Sequence, residues 1–340
     1  MQIIIQNKLN QSPYYIIPPF EEINMHIHPR RISQSLHQMF TCQSLENIFS
    51  CSLKRKIFHQ INPILFDVSL RDGIQNASPE KYDFNVKKDV FRSIMAHKCP
   101  QKIEVGSIVS PRVLPIMADT TDIYKYAKDY IDNNLQSENE LYVLVPNETY
   151  LDIALQQNIT NFSFITSVSN AFQMKNTRFS LDQTKTKLAT MQKMLTDTNE
   201  PHSTKLYVSC INECPVFGKI DNDFIIYELL NYHTKFEFDE ICLSDTMGNL
   251  SFEDFEYIVS TIFHFGFPKS KLSIHLHTTG SNYYEIKQIL YYCFDHNINK
   301  FDVSVLNDGG CSVTMHRGIP NLSYELFYEI VERYIHKELS

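Results

Sequence analysis

The sequence predicts an α/β protein built as a (β/α)8 TIM barrel with an N-terminal extension. From residue 64 onward, short apolar runs of strand length alternate with amphipathic segments of helical period. Such alternation is typical of a parallel sheet with helices packed on it. Eight strand–helix units in about 270 residues favour a closed barrel. A doubly wound open sheet is the alternative, and it is disfavoured because no glycine-rich dinucleotide turn follows the first strand.

The predicted strands are short runs rich in aliphatic, β-branched and aromatic residues. In chain order they are residues 64–69, 102–106, 141–145, 162–168, 205–210, 240–243, 272–277 and 301–306. The segments between them carry apolar residues three or four apart, as Val86, Val90 and Ile94 do, and this spacing predicts helices. The last helix is expected over residues 324–336. Residues 62–340 are therefore predicted to form the barrel domain.

Residues 1–61 are predicted to form a weakly structured extension. This segment is polar, lacks sustained periodicity and contains Pro18-Pro19 and Arg30-Arg31. Its lack of glycine is part of a wider pattern, because the chain has 9 glycines, where roughly 24 would be average. Glycine is therefore expected mainly where the backbone geometry requires it.

Composition excludes several classes of function. With 31 basic and 39 acidic residues the net charge is −8, and 43% of the residues are hydrophobic. These values are typical of a globular protein, and they argue against a disordered chain. Without a stripe of Lys and Arg, no nucleic-acid partner is expected. Without an apolar run of about 18 residues, no membrane partner is expected.

Cysteine usage and the N-terminal sequence predict the compartment. The 8 cysteines include no CxxC pair and no zinc-finger spacing, which favours a reducing environment. The first residues carry neither a signal-peptide core nor the arginine-rich pattern of a transit peptide. A cytoplasmic location is therefore expected, with a mitochondrial one as the alternative.

Polar residues follow most of the predicted strands. They include Arg71-Asp72, Glu104, Asp245 and the pair His275 and His277. In a (β/α)8 barrel the carboxyl ends of the strands form one mouth, where the active site lies. The sequence therefore predicts a polar site at that mouth.

The two histidines predict a metal site there. His275 and His277 are two residues apart on a predicted strand, so both rings should point to the same side. With the Asp72 carboxylate, an Asn carbonyl and water, they would form a mixed oxygen and imidazole set suited to Mg²⁺ or Mn²⁺. Zn²⁺ is less favoured without a thiolate. His26 and His28 share the spacing but lie in the extension beside no evident carboxylate, so no role is predicted for them.

Three further residues have two interpretations each. Arg71 is either half of a salt bridge or a fixed cation that stabilises an oxyanion. Glu104 is either a buried carboxylate paired with Arg71 or a catalytic group. Cys311 follows Gly309-Gly310, the sole Gly-Gly pair, and is either a reactive thiol on a hinged loop or an ordinary cysteine.

Several motifs resemble a known family. Residues 67–76, DVSLRDGIQN, resemble the opening motif of metal-dependent barrel lyases and Claisen-type acyl-CoA synthases. Further motifs narrow the resemblance to the hydroxymethylglutaryl-CoA lyases: IEVGSIVSPR at 103–112, YVSC at 207–210, CP at 214–215, GKI at 218–220, SDTMG at 244–248, HLH at 275–277, GGC at 309–311 and NL at 321–322. These motifs occur in the family's order over residues 63–325.

The resemblance implies a reaction and a set of site residues. The reaction is the retro-Claisen cleavage of 3-hydroxy-3-methylglutaryl-CoA to acetyl-CoA and acetoacetate, with Mg²⁺ or Mn²⁺ as cofactor. The implied metal ligands are Asp72, His275, His277 and Asn321. The implied catalytic residues are Arg71, Glu104, His275 and Cys311. Of these, Arg71 would stabilise the enolate, Glu104 would support the site, and Cys311 would take part in proton transfer from a mobile loop.

The sequence also departs from the family pattern. Thr278 stands where the family has Asp, Asn307-Asp308 where it has Gly-Leu, and Ser312 where it has Pro. We therefore keep two alternatives, a related barrel aldolase or acyl-CoA lyase with another hydroxyacyl substrate, and a non-catalytic descendant. The expected partners are an acyl-CoA substrate and a second copy of the chain in a homodimer.

Overall fold

A computed structural model of the protein describes residues 52–134, 139–310 and 319–339. Residues 1–51 lie outside this range, so the predicted N-terminal extension stays a prediction for them. The first described element is helix α1, Ser52–Ile61. It precedes the first strand directly and lies at the end of the segment that the sequence assigns to the weakly structured extension, so residues 52–61 form a helix instead.

Eight parallel strands close into a barrel, as predicted. In chain order they are β1 (Ile64–Asp67), β2 (Lys102–Ser107), β3 (Glu140–Leu144), β4 (Asn161–Ser167), β5 (Ser203–Ser209), β8 (Glu240–Ser244), β9 (Leu272–His275) and β10 (Lys300–Val303). Each strand pairs with its neighbours in chain order, and β10 pairs with β1 to close the barrel. A small antiparallel hairpin, β6 (Glu213–Cys214) and β7 (Gly218–Lys219), follows β5.

The remaining helices surround the barrel. They are α2 (Phe84–His97), α3 (Thr120–Asn134), α4 (Glu148–Gln156), α5 (Asn170–Thr177), α6 (Leu181–Asp197), α7 (Asn222–Lys235), α8 (Phe252–His264), α9 (Tyr283–Asp295) and α10 (Tyr324–Leu339). Local capping starts several of them; the Ser180 hydroxyl and the Gln183 side chain form a capping box at α6. Their apolar faces bury Val90, Phe91 and Ile94 among others against the strands. Among the described helices, none combines the length and apolarity that crossing a membrane requires.

Several strands end earlier than predicted, and for β9 and β10 the cause is a competing segment. Strand β9 ends at His275, and His277 pairs instead with Asn321 in an isolated antiparallel bridge. Strand β10 ends at Val303, after which Ser304 bridges Ser323. The segment that precedes α10 takes up the hydrogen bonds that longer strands would have made, since Leu322 donates its backbone N–H to the Leu276 carbonyl at 2.9 Å.

The register of the strands stacks the barrel interior in layers. Lys205 pairs with Glu240, Tyr207 with Cys242, and Ser209 with Ser244 between β5 and β8. Ser244 in turn pairs with His275 on β9. Alternate residues of a strand face the same side. Charged groups therefore fill the interior near the end where the strands begin, and small polar groups with His275 form the mouth, where the strands end.

A buried carboxylate joins the barrel to the last helix. Asp67, at the end of β1, is fully buried and accepts hydrogen bonds from the Tyr324 hydroxyl at 2.7 Å and from the Ser69 backbone N–H at 2.8 Å. Burial raises the pKa of Asp67 to about 6, and the two hydrogen bonds oppose that rise only in part. The folded state therefore holds a proton on Asp67 more tightly than the unfolded chain does.

We expect Asp67→Asn to change how stability depends on pH. In the wild type, folding favours the protonated carboxyl, so this contribution is lost as pH rises from about 4 through 6. An asparagine carries no such cost, and the free energy of unfolding of the variant should gain up to about 3 kcal/mol relative to wild type between pH 4 and 7.5. Urea unfolding at a series of pH values measures this. A difference that stays constant across that range would contradict the expectation.

Candidate active site

Four predicted ligands meet at the barrel mouth. Asp72 lies on a 3₁₀ turn shortly after β1, His275 ends β9, His277 follows it, and Asn321 precedes α10. Asp72 Oδ2 lies 3.5 Å from His277 Nε2 and 3.8 Å from His275 Nε2. All four residues are buried. One ligand atom from each of Asp72, His275 and His277 lies within 4.8 Å of the others, which is suitable for one metal ion.

The polar atoms at this point fit a divalent metal ion. Asp72 Oδ2, His277 Nε2 and both amide atoms of Asn321 are buried and make no hydrogen bond within the described part of the chain. Buried polar atoms without partners cost free energy unless an ion or water satisfies them. Two imidazoles, a carboxylate and an amide oxygen form a mixed nitrogen and oxygen donor set of the kind that binds divalent metal ions.

The other ring nitrogen of each histidine is held by a fixed partner. His275 Nδ1 lies 3.0 Å from Asp302 Oδ2, and His277 Nδ1 lies 2.6 Å from the backbone carbonyl oxygen of Asp245. A carboxylate and a carbonyl accept hydrogen bonds, so each Nδ1 carries a hydrogen, and in the neutral imidazole Nε2 then presents its lone pair. This is the protonation pattern of a metal-binding histidine.

Arg71 is clamped between two carboxylates. Its Nη1 donates to Asp72 Oδ1 at 2.5 Å and its Nε to Glu104 Oε2 at 2.5 Å, while the Tyr207 ring lies 5.0 Å from its guanidinium carbon. Burial lowers the pKa of Arg71, but Glu104 and Asp72 outweigh burial and raise the pKa above its usual value. Burial likewise raises the pKa of Asp72, but Arg71 together with His277 and His275 outweighs burial and lowers the pKa well below its usual value. Arg71 is therefore a fixed cation beside the candidate ligand Asp72.

Glu104 lies beneath Arg71 and outside the lining of the cavity. Its side chain is fully buried, and Oε2 accepts from the Tyr207 hydroxyl at 3.3 Å as well as from Arg71. The structure thus contains the ion pair that one interpretation of the sequence predicted for Glu104.

The Gly-Gly pair packs directly on the backbone of Asp72. A Cβ atom on Gly309 would lie 1.7 Å from the Asp72 carbonyl oxygen, so only glycine fits there. The Asn76 side-chain amide donates to the carbonyls of Gly309 at 3.2 Å and Gly310 at 2.9 Å. Cys311 itself lies outside the described residues, as do His26 and His28.

Thr278 contacts the segment that carries Asn321. Its backbone N–H donates to the Pro320 carbonyl at 2.7 Å, and its hydroxyl donates to the same oxygen at 3.3 Å. Asp302, on the neighbouring strand, supplies the carboxylate that contacts His275. His275 therefore has a carboxylate partner although Thr278 stands where the family has Asp.

A cavity of about 350 Å³ opens at the mouth. Arg71, Asp72, His275 and His277 form part of its wall. The apolar part of the wall consists of Val109, Val113, Leu114, Leu144, Pro146, Tyr150, Ile165, Phe172 and Phe179. A small molecule in this cavity would contact Arg71 and the histidines together.

Sequence reasoning did not assign roles to Asp302 and Lys205. Asp302 contacts His275, and the Lys205 ammonium donates to Asp302. A signal was present, because each is a charged residue within a predicted barrel strand of mostly apolar neighbours. Such a residue must be paired if it faces the interior.

Comparison with known proteins places the chain in a family. The HMGL-like family model matches residues 62–282. Similar curated proteins include the mitochondrial hydroxymethylglutaryl-CoA lyase of Arabidopsis thaliana, 26% identical over 73% of this chain and 50% of that protein. The 3-hydroxy-3-isohexenylglutaryl-CoA/hydroxymethylglutaryl-CoA lyase of Pseudomonas aeruginosa is 27% identical over 73% and 77%. The human cytoplasmic 3-hydroxy-3-methylglutaryl-CoA lyase is 27% identical over 73% and 63%.

Solved structures share the fold. Hydroxymethylglutaryl-CoA lyase from Pseudomonas aeruginosa has a TM-score of 0.67 at 22% identity, covering 81% of this chain and 86% of that one. An HMG-CoA lyase from Acinetobacter baumannii, in complex with coenzyme A and 3-methylmalate, has a TM-score of 0.67 at 20% identity, covering 81% and 84%. The chain spans only half the length of the Arabidopsis relative. The family match covers most of the barrel, and the chain belongs to the HMGL-like family.

Proposed function

We propose that this protein is a divalent-metal-dependent carbon–carbon lyase that cleaves 3-hydroxy-3-methylglutaryl-CoA to acetyl-CoA and acetoacetate. The observation that carries the proposal is the convergence of Asp72, His275 and His277 beside Arg71 on one cavity, with the buried, unpartnered amide of Asn321 on the segment bridged to His277. Membership of the HMGL-like family and the lyase names of the relatives support it. The experiment that tests it is incubation with hydroxymethylglutaryl-CoA and Mn²⁺ or Mg²⁺, with acetoacetate measured.

Asp72, His275, His277 and Asn321 would hold the cation. A divalent cation in this position would supply Lewis acidity toward the substrate's tertiary hydroxyl. The chain's own contribution is the buried, oriented ligand set, because Asp302 and the Asp245 carbonyl fix both rings with Nε2 toward Asp72. His275 also keeps the catalytic role assigned to it, since it lies on the cavity wall.

Arg71 would stabilise the negative charge that develops as the carbon–carbon bond breaks. The thioester enolate oxygen needs a cation that is in position before the reaction, and Arg71 lies on the cavity wall with two carboxylates behind it. We assign Glu104 a positioning role, because it touches Arg71 and Tyr207 rather than the cavity. The role of Cys311 in proton transfer stays a prediction.

An acyl-CoA substrate is supported by the neighbour that carries coenzyme A and 3-methylmalate. The compartment stays open to test, because relatives are named both mitochondrial and cytoplasmic. The expected homodimer also stays a prediction. Size-exclusion chromatography with light scattering would test the homodimer.

A second candidate is cleavage of a homologue with a larger group at C3. The cavity of about 350 Å³ has an apolar wall that includes Leu144, Ile165 and Phe172. The methyl group at C3 would contact little of this apolar wall. Each further methylene of a longer group, once buried, would stabilise the enzyme–substrate complex by about 0.8 kcal/mol. The Pseudomonas relative is named for an isohexenyl as well as a methyl substrate.

The two His-x-His pairs test the metal site within one chain. Changing His275 or His277 to Ala removes a ligand from a buried set, and Mn²⁺ affinity should fall by at least about tenfold with loss of turnover. The double change His26→Ala and His28→Ala, with identical spacing, should leave both nearly intact. Calorimetric titration with Mn²⁺ decides the matter. Equal affinity in the His275 and His277 variants and the wild type would make the proposed site wrong.

Arg71→Gln should lower turnover by about 10²- to 10³-fold, which is the cost of losing one preorganised oxyanion partner. The change leaves Glu104 buried without its cation, which is destabilising. The double variant Arg71→Gln, Glu104→Gln removes that charge and separates catalysis from folding. Both should be assayed for acetoacetate at saturating substrate. Turnover near the wild-type value in either folded variant would refute the role of Arg71.

Leu144→Phe tests the second candidate. The larger ring would narrow the cavity where Leu144 and Ile165 form its wall. We expect kcat/KM for the isohexenyl substrate, divided by kcat/KM for the methyl substrate, to fall by about tenfold or more. This is the size of effect expected when the methylene groups of a substrate no longer fit in an apolar pocket. Since both substrates are assayed on one protein, a general loss of activity cancels. An unchanged ratio would remove this wall from substrate selection.

A further inference from the structure

Lys205 is a buried lysine beneath the candidate metal site. Its side chain is 1% exposed, and its ammonium donates to Asp302 Oδ1 and lies 3.0 Å from Glu240 Oε1. The rings of Phe66 and Tyr207 lie 3.8 and 4.8 Å from its Nζ. Burial lowers the pKa of Lys205, but Asp302 and Glu240 outweigh it and raise the pKa above its usual value. Lys205 is therefore a fixed positive charge in the barrel interior.

Asp302 connects this charge to the site. One oxygen, Oδ1, accepts from Lys205, and the other, Oδ2, lies 3.0 Å from His275 Nδ1. A carboxylate held at both oxygens cannot rotate away from the imidazole. Its orientation in turn fixes the plane of the His275 ring, whose Nε2 lies 3.8 Å from Asp72 Oδ2.

The two carboxylates that contact Lys205 differ in their other partners. Glu240 also has Lys102 and Lys300 within 3.6 Å, near the opposite end of the barrel. For Asp302, Lys205 is the only lysine or arginine within ion-pair distance in the described part of the chain. Loss of the ammonium would therefore leave Glu240 compensated and Asp302 buried without a cation.

We propose that Lys205 is a positioning residue for the metal centre, and that it acts by holding the Asp302 carboxylate against His275 Nδ1. The inference rests on the metal site assigned under the proposed function. It predicts that removing a charge two contacts away from the ligand His275 weakens metal binding. A lysine that serves only to fill the core would affect stability alone.

The test compares Mn²⁺ affinity by calorimetry in a set of folded variants. Lys205→Met removes the ammonium but keeps the length of the chain, and it should weaken Mn²⁺ binding by about 10- to 100-fold, the range for partners of metal ligands. Lys205→Arg retains the charge and should restore most of that loss. Glu240→Gln breaks the other ion pair of Lys205 and should keep the wild-type affinity. The double variant Lys205→Met, Glu240→Gln loses one positive and one negative charge, so its net charge is that of the wild type. It should bind Mn²⁺ as weakly as Lys205→Met does.

A matched control comes from another buried lysine. Lys87 is 3% exposed and pairs with Asp119 at 2.5 Å on the helical layer, away from the cavity lining. Lys87→Met should lower the thermal unfolding midpoint yet leave Mn²⁺ affinity unchanged. If Lys205→Met is equally destabilised but binds Mn²⁺ as wild type does, the inference is overturned.

If the Lys205→Met variants do not fold, a second comparison uses Asp302→Asn and the double variant Asp302→Asn, Lys205→Met. The double variant removes one charge of each sign, so it leaves no unpaired charge at this ion pair. Lys205 acts through Asp302, so the double variant should bind Mn²⁺ no more weakly than Asp302→Asn. A further tenfold loss in the double variant would refute this route. If the wild type itself does not bind Mn²⁺, the proposed metal site is wrong. If the wild type binds Mn²⁺ and the variants bind it equally well, the metal site stands and the role of Lys205 is wrong.

Discussion

The ion pair between Lys205 and Asp302 lies inside the barrel, and the geometry of the mouth depends on it. Charges taken out of water cost several kcal/mol each unless they are paired and hydrogen-bonded. The interior meets this constraint with pairs at successive levels. Lys102 and Lys300 face Glu240 at the lower end, Lys205 lies between Glu240 and Asp302, and Asp302 contacts His275 at the mouth. The orientation of the His275 imidazole is thus fixed by a series of ion pairs that begins at the opposite end of the barrel.

A second group of charges sets the balance at the mouth itself. Arg71 carries one positive charge and contacts two carboxylates, Asp72 and Glu104, so the group has a net charge of −1. The histidines add none while their Nε2 atoms present lone pairs. A divalent cation would leave this group with one net positive charge, which suits an anionic reaction intermediate close by. The same residues that compensate one another's burial therefore favour a cation of charge two.

The sequence allowed the fold to be predicted because each barrel strand has a local signature. Apolar runs of four to seven residues, alternating with amphipathic helices, are visible without any knowledge of tertiary contacts. Asp72 and the two histidines could be brought together because parallel strands end at one edge, and the family resemblance added Asn321. The ends of β9 and β10 could not be predicted, since the 320–323 segment competes for their hydrogen bonds from far along the chain. The contacts of Lys205 with Asp302 and of Asp302 with His275 span 97 and 27 residues, so no local pattern reports them.

The departures from the family pattern lie on residues that support the site rather than on the ligands. Thr278 keeps a tie to the backbone that carries Asn321, and Asp308 accepts from the Lys81 ammonium at 2.6 Å and the Tyr82 hydroxyl, at the start of the Gly-Gly segment. Neither change removes a donor atom from the metal set or the guanidinium beside it. The four buried polar atoms of Asp72, His277 and Asn321 cost stability unless an ion or water satisfies them, and they lie together at the mouth. The ligand set is therefore retained whole in spite of these departures, and the apolar cavity wall is the place where substrate choice would differ.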